Sequence, residues 1–176
     1  MLLRRERNPR GPPIMPSSTI GGYRVTLRPY LKEFLQFCLC RFRVGIWSSM
    51  SSHNLRPLTT LICHHTRIHI SNFAFIYDQS HCTVTRGVFH PDKPGVPLYA
   101  KSFVRFGPQF DVNNTTLVDD SLEKGWENPH GSCICVEPFV GDPDDDYLST
   151  NLISYLCEMC TSELTSLDFI LNKPFN

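Results

Sequence analysis

Aspartate is missing from the front of this chain: of its 176 residues the first Asp is Asp78, and the only acids before it are Glu6 and Glu33. From Met1 to Ile70 eleven basic residues stand against two acidic ones (+9), and the remainder carries six basic against fifteen acidic (−9), so the formal charge sums to zero. A basic front half favours anionic partners, but a zero total argues against a dedicated nucleic-acid binder. No apolar run approaches the roughly 20 residues a membrane helix needs, so no transmembrane segment is expected. No internal repeat is present. With hydrophobic residues at 41% and charged residues at 19%, the composition is that of a globular chain and not a disordered one. At 20.2 kDa it makes one domain.

What the chain does hold in quantity is cysteine, eight in all. Met1-Leu2-Leu3 runs into Arg4 and Arg5 without an apolar core, so no signal peptide is read there, and free thiols in an intracellular chain are expected. The pairs Cys38/Cys40, Cys133/Cys135 and Cys157/Cys160 raise the question of zinc, with His64, His65 and His69 near Cys63. But Asn151 to Cys160 reads as a helix, and Cys38 and Cys40 are flanked by Phe37, Leu39 and Phe42. Zinc ribbons want two knuckle-type pairs in turns, so these thiols are read as buried core residues.

Residues 1–22 hold Pro9, Pro12, Pro13 and Pro16 with Gly11, Gly21 and Gly22, and read as an extended arm. Four prolines spoil the amphipathic helix of a mitochondrial presequence. An amphipathic helix follows, entered at Pro29 and carrying Phe34, Leu35, Phe37 and Cys38. Phe42–Trp47 reads as a buried strand ending in Ser48-Ser49, and Asn54–Ile62 as a helix. Phe73–Tyr77 is a second strand, Gln79–Pro97 a long loop with Pro91 and Pro94, Pro97–Lys101 a third strand and Thr115–Val118 a fourth. Gly141–Asp146 opens the last helix, its acids suiting the positive helix end. Helices alternating with short buried strands give an α/β fold.

Three polar clusters fall at or just after apolar strands: Ser48-Ser49, Lys101 and Asp119-Asp120. Ligand sites of open α/β sheets lie beyond the carboxyl ends of strands, so these groups can converge. A hydroxyl, an ammonium group and a carboxylate pair are what a phosphate-plus-magnesium site uses. Each cluster alone also has a plain structural reading, as turn, surface lysine or helix cap.

One series of residues runs in order from about Tyr23 to the carboxyl end. It comprises Arg28-Pro29-Tyr30 with Phe34-Leu35, Val44 to Ser49 with Asn54-Leu55, Tyr77-Asp78-Gln79-Ser80 with Cys82-Thr83, Pro97 to Lys101, and Asn114 to Ser121 with Lys124 and Asn128-Pro129. It resembles the C-terminal-domain phosphatase homology domain of the haloacid dehalogenase (HAD) superfamily, also called the NLI-interacting-factor-like phosphatase, with wording most like plant members. The resemblance implies a HAD-like (Rossmann-like) parallel sheet flanked by helices over residues 23–176, after the arm of 1–22. It also implies a phosphoprotein serine/threonine phosphatase ancestry. Ser48 and Lys101 would then hold the phosphoryl group, while Asp119, supported by Asp120, would bind Mg²⁺.

Family members open with a strand ending in Asp-x-Asp or Asp-Leu-Asn-Gly, whose first Asp attacks phosphorus. Nothing like it occurs here, and Glu6 among arginines follows no strand. The expectation is therefore a domain incomplete at its amino end. Its first central strand is missing, Met1-Leu2-Leu3 is read as that strand's tail, and sheet edges are left open. Without its nucleophile the chain would turn nothing over, and Mg²⁺ affinity would fall. The same homology domain occurs in Tim-fifty-type subunits of the mitochondrial inner-membrane translocase, some lacking the catalytic acids. The alternative is thus a binding module for presequences and translocase subunits, with nucleus and mitochondrion both open as compartments.

Overall fold

The computed structural model describes residues 1–7, 17–89, 95–108 and 110–175. Strands β1 (Leu3–Arg7), β2 (Ser17–Ile20) and β3 (Tyr23–Leu27) form an antiparallel sheet in the order β1-β3-β2, with Leu3 opposite Leu27 and Ile20 opposite Tyr23. Gly21 and Gly22 join β2 to β3 with φ of 56° and 76°. A two-residue hairpin turn of matching twist needs positive φ at both positions, which favours glycine. Within residues 1–22, the described segments Leu3–Arg7 and Ser17–Ile20 are thus strands of this sheet. Pro9, Gly11, Pro12, Pro13 and Pro16 lie outside the described residues.

Helix α1 (Leu31–Arg41) buries Leu31, Phe34, Leu35 and Cys38, and α2 (Ser52–Thr66) buries Leu55, Leu58, Thr59, Ile62 and Thr66. Both sets recur every three or four residues, so each helix turns one stripe inward. The two buried threonine hydroxyls of α2 donate to the carbonyls of Leu55 and Ile62 at 3.0 and 2.8 Å, so neither is left unsatisfied. Between these helices lies β4 (Ile46–Trp47), parallel to β5 (Ile76–Tyr77). A second parallel pair, β8 (Leu117–Asp119) with β9 (Cys133–Cys135), stands apart from the first. The class is α/β as expected, but the parallel sheet is split into two pairs.

The segment read as a loop from Gln79 to Pro97 contains a strand instead. β6 (Thr83–Phe89) pairs antiparallel with β7 (Pro97–Ala100), with a break in register between Val84 and Phe89. Three consecutive β-branched residues, Thr83-Val84-Thr85, favour a strand over the turn-forming residues around them. Pro91 and Pro94 lie outside the described residues. The acidic run 142–146 does open a helical segment, a wide π-type turn (Leu148–Leu152) continuing into α3 (Ile153–Thr161), but α4 (Ser166–Asn172) follows it.

The core gathers Leu31, Phe34 and Leu35 of α1 with Ile134 and Val136, Leu148 and Leu152, and Tyr155, Leu156 and Met159 of α3. Arg28, buried to 2% exposure, ties the end of β3 to the acidic run. Its Nε and Nη2 each donate to Asp145 at 2.9 Å, and Nη1 donates to the Glu137 carbonyl at 2.8 Å. Its guanidinium also lies 4.7 Å from the Tyr147 ring centre.

The thiols correct the sequence reading in part. Cys38 and Cys82 are buried, but Cys40, Cys157 and Cys160 are exposed. α3 turns Tyr155, Leu156 and Met159 inward, which puts positions 157 and 160 on the opposite side of the helix. No group of three or more metal-ligating side chains occurs among the described residues. Burial pushes the Cys38 thiol up to about 12, with Cys160 adding to it. Only about 10⁻⁴ of that thiol is ionised near pH 8. Iodoacetamide at about pH 8 should therefore modify Cys40 and Cys157 at least 100-fold faster than Cys38 in the folded chain, read by peptide mass spectrometry. Equal rates would show that α1 does not pack as described.

Candidate functional site

Between β4 and β8 lies a cavity of about 700 Å³. Its far walls are apolar: Phe34, Leu35 and Cys38 of α1, Leu55, Leu58 and Ile62 of α2, and Leu156 and Met159 of α3. All the residues singled out from the sequence, Ser48, Lys101, Asp119 and Asp120, line this one cavity. Local structure explains how each gets there. Gly45 leaves room for the Phe75 ring, which a Cβ at that position would strike. Ser48 follows directly, its N–H donating to the Tyr77 carbonyl at 2.8 Å and its Oγ accepting from the Met50 N–H at 3.1 Å. The serine hydroxyl proton is left to donate elsewhere.

Lys101 leaves the end of β7 and is buried to 4% exposure. Its backbone is clamped from both sides: its N–H donates to the Lys124 carbonyl at 2.6 Å, and its carbonyl accepts from Asn128 Nδ2 at 2.7 Å. Asn128 Oδ1 in turn accepts from the Phe103 N–H at 2.9 Å. So held, the Lys101 Nζ reaches Asp119 Oδ2 at 2.5 Å. Lys124, on the 3₁₀ turn Leu122–Gly125, reaches Asp119 Oδ1 at 2.9 Å and Asp120 Oδ1 at 3.5 Å. Asp120 Oδ2 also accepts from the Met1 amino group at 2.6 Å.

Burial alone would raise Asp120, but the Met1 ammonium, the Asp119 hydrogen bond and Lys124 outweigh it and hold the carboxyl well below the usual range. For Lys124 burial pulls the other way, and Asp119 and Asp120 prevail to raise it. Lys124 and Asn128 are the residues whose roles the sequence does not announce. Both belong to the quoted series, yet only the fold shows that Lys124 shares Asp119 with Lys101 and that Asn128 braces the Lys101 backbone.

The sequence profile described as NLI interacting factor-like phosphatase matches residues 4–166. The chain belongs to the NLI interacting factor-like phosphatase family. It is 28% identical over 165 residues to the CTD phosphatase-like protein 355R of Invertebrate iridescent virus 6, covering 88% of this chain and 77% of that one. Among solved structures it is similar to Fcp1, titled an essential RNA polymerase II CTD phosphatase, at 17% identity and a TM-score of 0.47. It is similar to the same degree, 17% and 0.47, to the fission yeast Fcp1 R271A variant bound to beryllium fluoride. These matches cover 89% and 98% of this chain but only 39% and 43% of the solved ones, so the chain spans about two fifths of their length.

In this NLI interacting factor-like phosphatase domain the donors at 119 and 120 are right in kind for a hard divalent cation, which takes carboxylate oxygen. Their oxygens are nevertheless committed. Both oxygens of Asp119 hold lysines, and Asp120 holds Lys124 and the Met1 amine. A magnesium ion bound there would have to share these oxygens with Lys101, Lys124 or the Met1 amine, each oxygen keeping a further lone pair. The carboxylates lining the cavity, Asp119 and Asp120, are both ion-paired.

Proposed function

We propose that this domain binds the phosphoryl group of phosphoserine or phosphothreonine in a protein or peptide, through Ser48 and Lys101, without hydrolysing it. The observation that carries this reading is the buried Lys101, brought to the same cavity as Ser48 and fixed in place by Asn128. Lys101 spends one donor on Asp119 and keeps two for an anion, and the Ser48 hydroxyl supplies a third. In a partly dehydrated site such charge-assisted hydrogen bonds are the strong ones. Asp119 acts as the positioning residue that pairs with both lysines and raises Lys124. Family membership and the named relatives support the substrate class.

The companion reading, a receptor for basic mitochondrial presequences, fits the site less well. The cavity presents Arg5, Arg43, Lys101 and Lys124 against Asp119 and Asp120, an excess of positive charge that repels basic peptides.

Two measurements test the proposal. A phosphoserine peptide should bind with a Kd at least tenfold below that of its unphosphorylated twin, in EDTA as in Mg²⁺. Lys101→Met should remove that preference, with folding checked by circular dichroism. The chain should also release no detectable product from a generic phosphate ester. Equal affinity for the two peptides sinks the binding claim, and turnover that Asp119→Asn abolishes sinks the claim of inactivity.

A further inference from the structure

Two of the exposed thiols share the last turn of one helix. Cys157 and Cys160 stand three positions apart on α3, which ends at Thr161, and both are exposed. Residues three apart on a helix are neighbours, with Cβ atoms about 5–6 Å apart. A disulfide needs its Cβ atoms about 3.5–4.5 Å apart, so a regular α-helical turn leaves such a pair slightly too open.

The hydrogen bonds of this turn show how the difference is made up. The Ser162 N–H is shared between the Glu158 carbonyl at 3.1 Å and the Met159 carbonyl at 3.3 Å, and the second of these is the shorter-range bond of a 3₁₀ turn. The Thr161 hydroxyl is likewise shared between the Cys157 and Glu158 carbonyls, at 3.2 and 3.0 Å. In a 3₁₀ turn, side chains three apart eclipse, so the tightening already begun at this end carries the two sulfurs toward each other. Tyr155, Leu156 and Met159 hold the inner side of α3 in the core, which leaves the outer side free to close. Other cysteines close in sequence are worse placed. Cys38 is buried while Cys40 is exposed, on different sides of α1. Cys133 and Cys135 lie two apart on β9, where Cα atoms are separated by about 6.6 Å, at the far end of the disulfide range.

We propose that Cys157 and Cys160 form a redox-active dithiol, closed to an intramolecular disulfide by exchange with a low-molecular-weight disulfide such as oxidised glutathione. The Cys157 thiolate attacks one sulfur of the reagent, whose S–S bond breaks. One thiolate leaves, and a mixed disulfide remains on Cys157. The Cys160 thiolate then attacks Cys157 Sγ and expels the second thiolate. The two protons lost by the cysteines go to the two departing thiolates, and two electrons pass from the dithiol to the reagent. Cys157 attacks first because burial raises the Cys160 thiol, with Arg41 of α1 opposing and Cys157 adding to the rise. Once Cys157 carries a mixed disulfide its own charge is gone, and Arg41 is left to favour the Cys160 thiolate. Cys38, whose thiol burial pushes up to about 12, stays a bystander. This inference does not depend on phosphoryl binding.

The test treats the whole chain at about pH 8 with oxidised glutathione in excess over the reduced form, then quenches with acid. Remaining thiols are capped in denaturant with N-ethylmaleimide, and a glutamate-specific protease cuts the chain for mass spectrometry. Glu158 lies between the two cysteines, so the peptides on either side stay joined only where the disulfide has closed. Joined, uncapped peptides should accumulate roughly tenfold faster than any modification of Cys40, with Cys38 fully capped. Cys160→Ser should abolish closure and trap glutathione on Cys157. Cys157→Ser should capture glutathione on Cys160 roughly tenfold more slowly than that. Glutathione persisting on both cysteines of the native chain overturns the inference, as does a Cys38–Cys160 bridge or a disulfide between two chains. Closure no faster than in the chain unfolded in urea overturns it too, since the helical turn would then bring nothing together.

Discussion

Arg28→Ala is expected to lower unfolding stability by about 3–5 kcal/mol, the range for breaking a buried ion pair by removing one partner. Arg28 makes three hydrogen bonds from an almost fully buried guanidinium, two in a fork onto Asp145 and one onto the Glu137 carbonyl. Removing it strands the Asp145 carboxylate, whose side chain is only 14% exposed, and orphans the carbonyl. It also empties the space beside Tyr147 and Phe139, whose ring centres lie 4.7 and 5.7 Å from the guanidinium. With domains stable by only about 5–15 kcal/mol, the substitution takes a large share of the total. Urea denaturation followed by fluorescence measures it. Arg28→Lys should recover less than half of the loss, because a point ammonium cannot make the planar fork. Should Arg28→Ala fail to fold, Asp145→Asn keeps the shape, removes one charge and should still cost more than 1 kcal/mol. A loss below 1 kcal/mol for both variants would mean that this tie does not hold the front sheet to the acidic run.

Arg28 also shows what can be read from the chain alone. It stands in the series that carried the family resemblance, yet nothing in its neighbours says that it is buried. Its partner lies 117 positions away. Helices α1 and α2 were legible because a stripe of Leu31, Phe34, Leu35 and Cys38, or of Leu55, Leu58 and Ile62, is a local pattern that burial reads directly. The β6–β7 hairpin was not, since prolines and glycines suggested a loop while the pairing that overrides them is tertiary. Cys157 and Cys160 fell on the wrong side for a similar reason. An apolar helix is visible in sequence, but which side of it meets α1 depends on the fold.

At the site, the residue types and their order named Ser48, Lys101, Asp119 and Asp120, and one cavity gathers them. The division of the parallel strands into two pairs was not legible in the short apolar runs themselves. What stayed hidden was the state of the carboxylates. A pair of adjacent aspartates reads as metal donors, while the structure gives their oxygens to Lys101, Lys124 and the Met1 amine. Ion pairing depends on who arrives from elsewhere in the chain, so spacing alone does not disclose it.

That pairing makes Asp119→Asn the second large expected effect, and its pH dependence separates it from ordinary destabilisation. Asp119 is 8% exposed and serves two lysines, of which Lys101 is 4% exposed. The amide keeps the shape but not the charge, so Lys101 becomes a buried cation without a counter-ion, at a cost of about 3–5 kcal/mol near pH 7. Lys124 suffers less, because Asp120 still faces it at 3.5 Å. In the native chain the raised Lys124 favours protons in the folded state. Its contribution is fully present below the unfolded value of about 10.4 and is lost as pH rises through the folded one. In Asp119→Asn the stronger of the two anions that raise Lys124 is gone, and most of that contribution goes with it. The stability gap between the native chain and the variant should therefore be widest near pH 7 and narrow as pH rises past about 10, and adding Lys101→Met should recover much of the loss. Urea midpoints taken across that range measure the gap, and one that stayed constant with pH would show that Asp119 is not what raises Lys124.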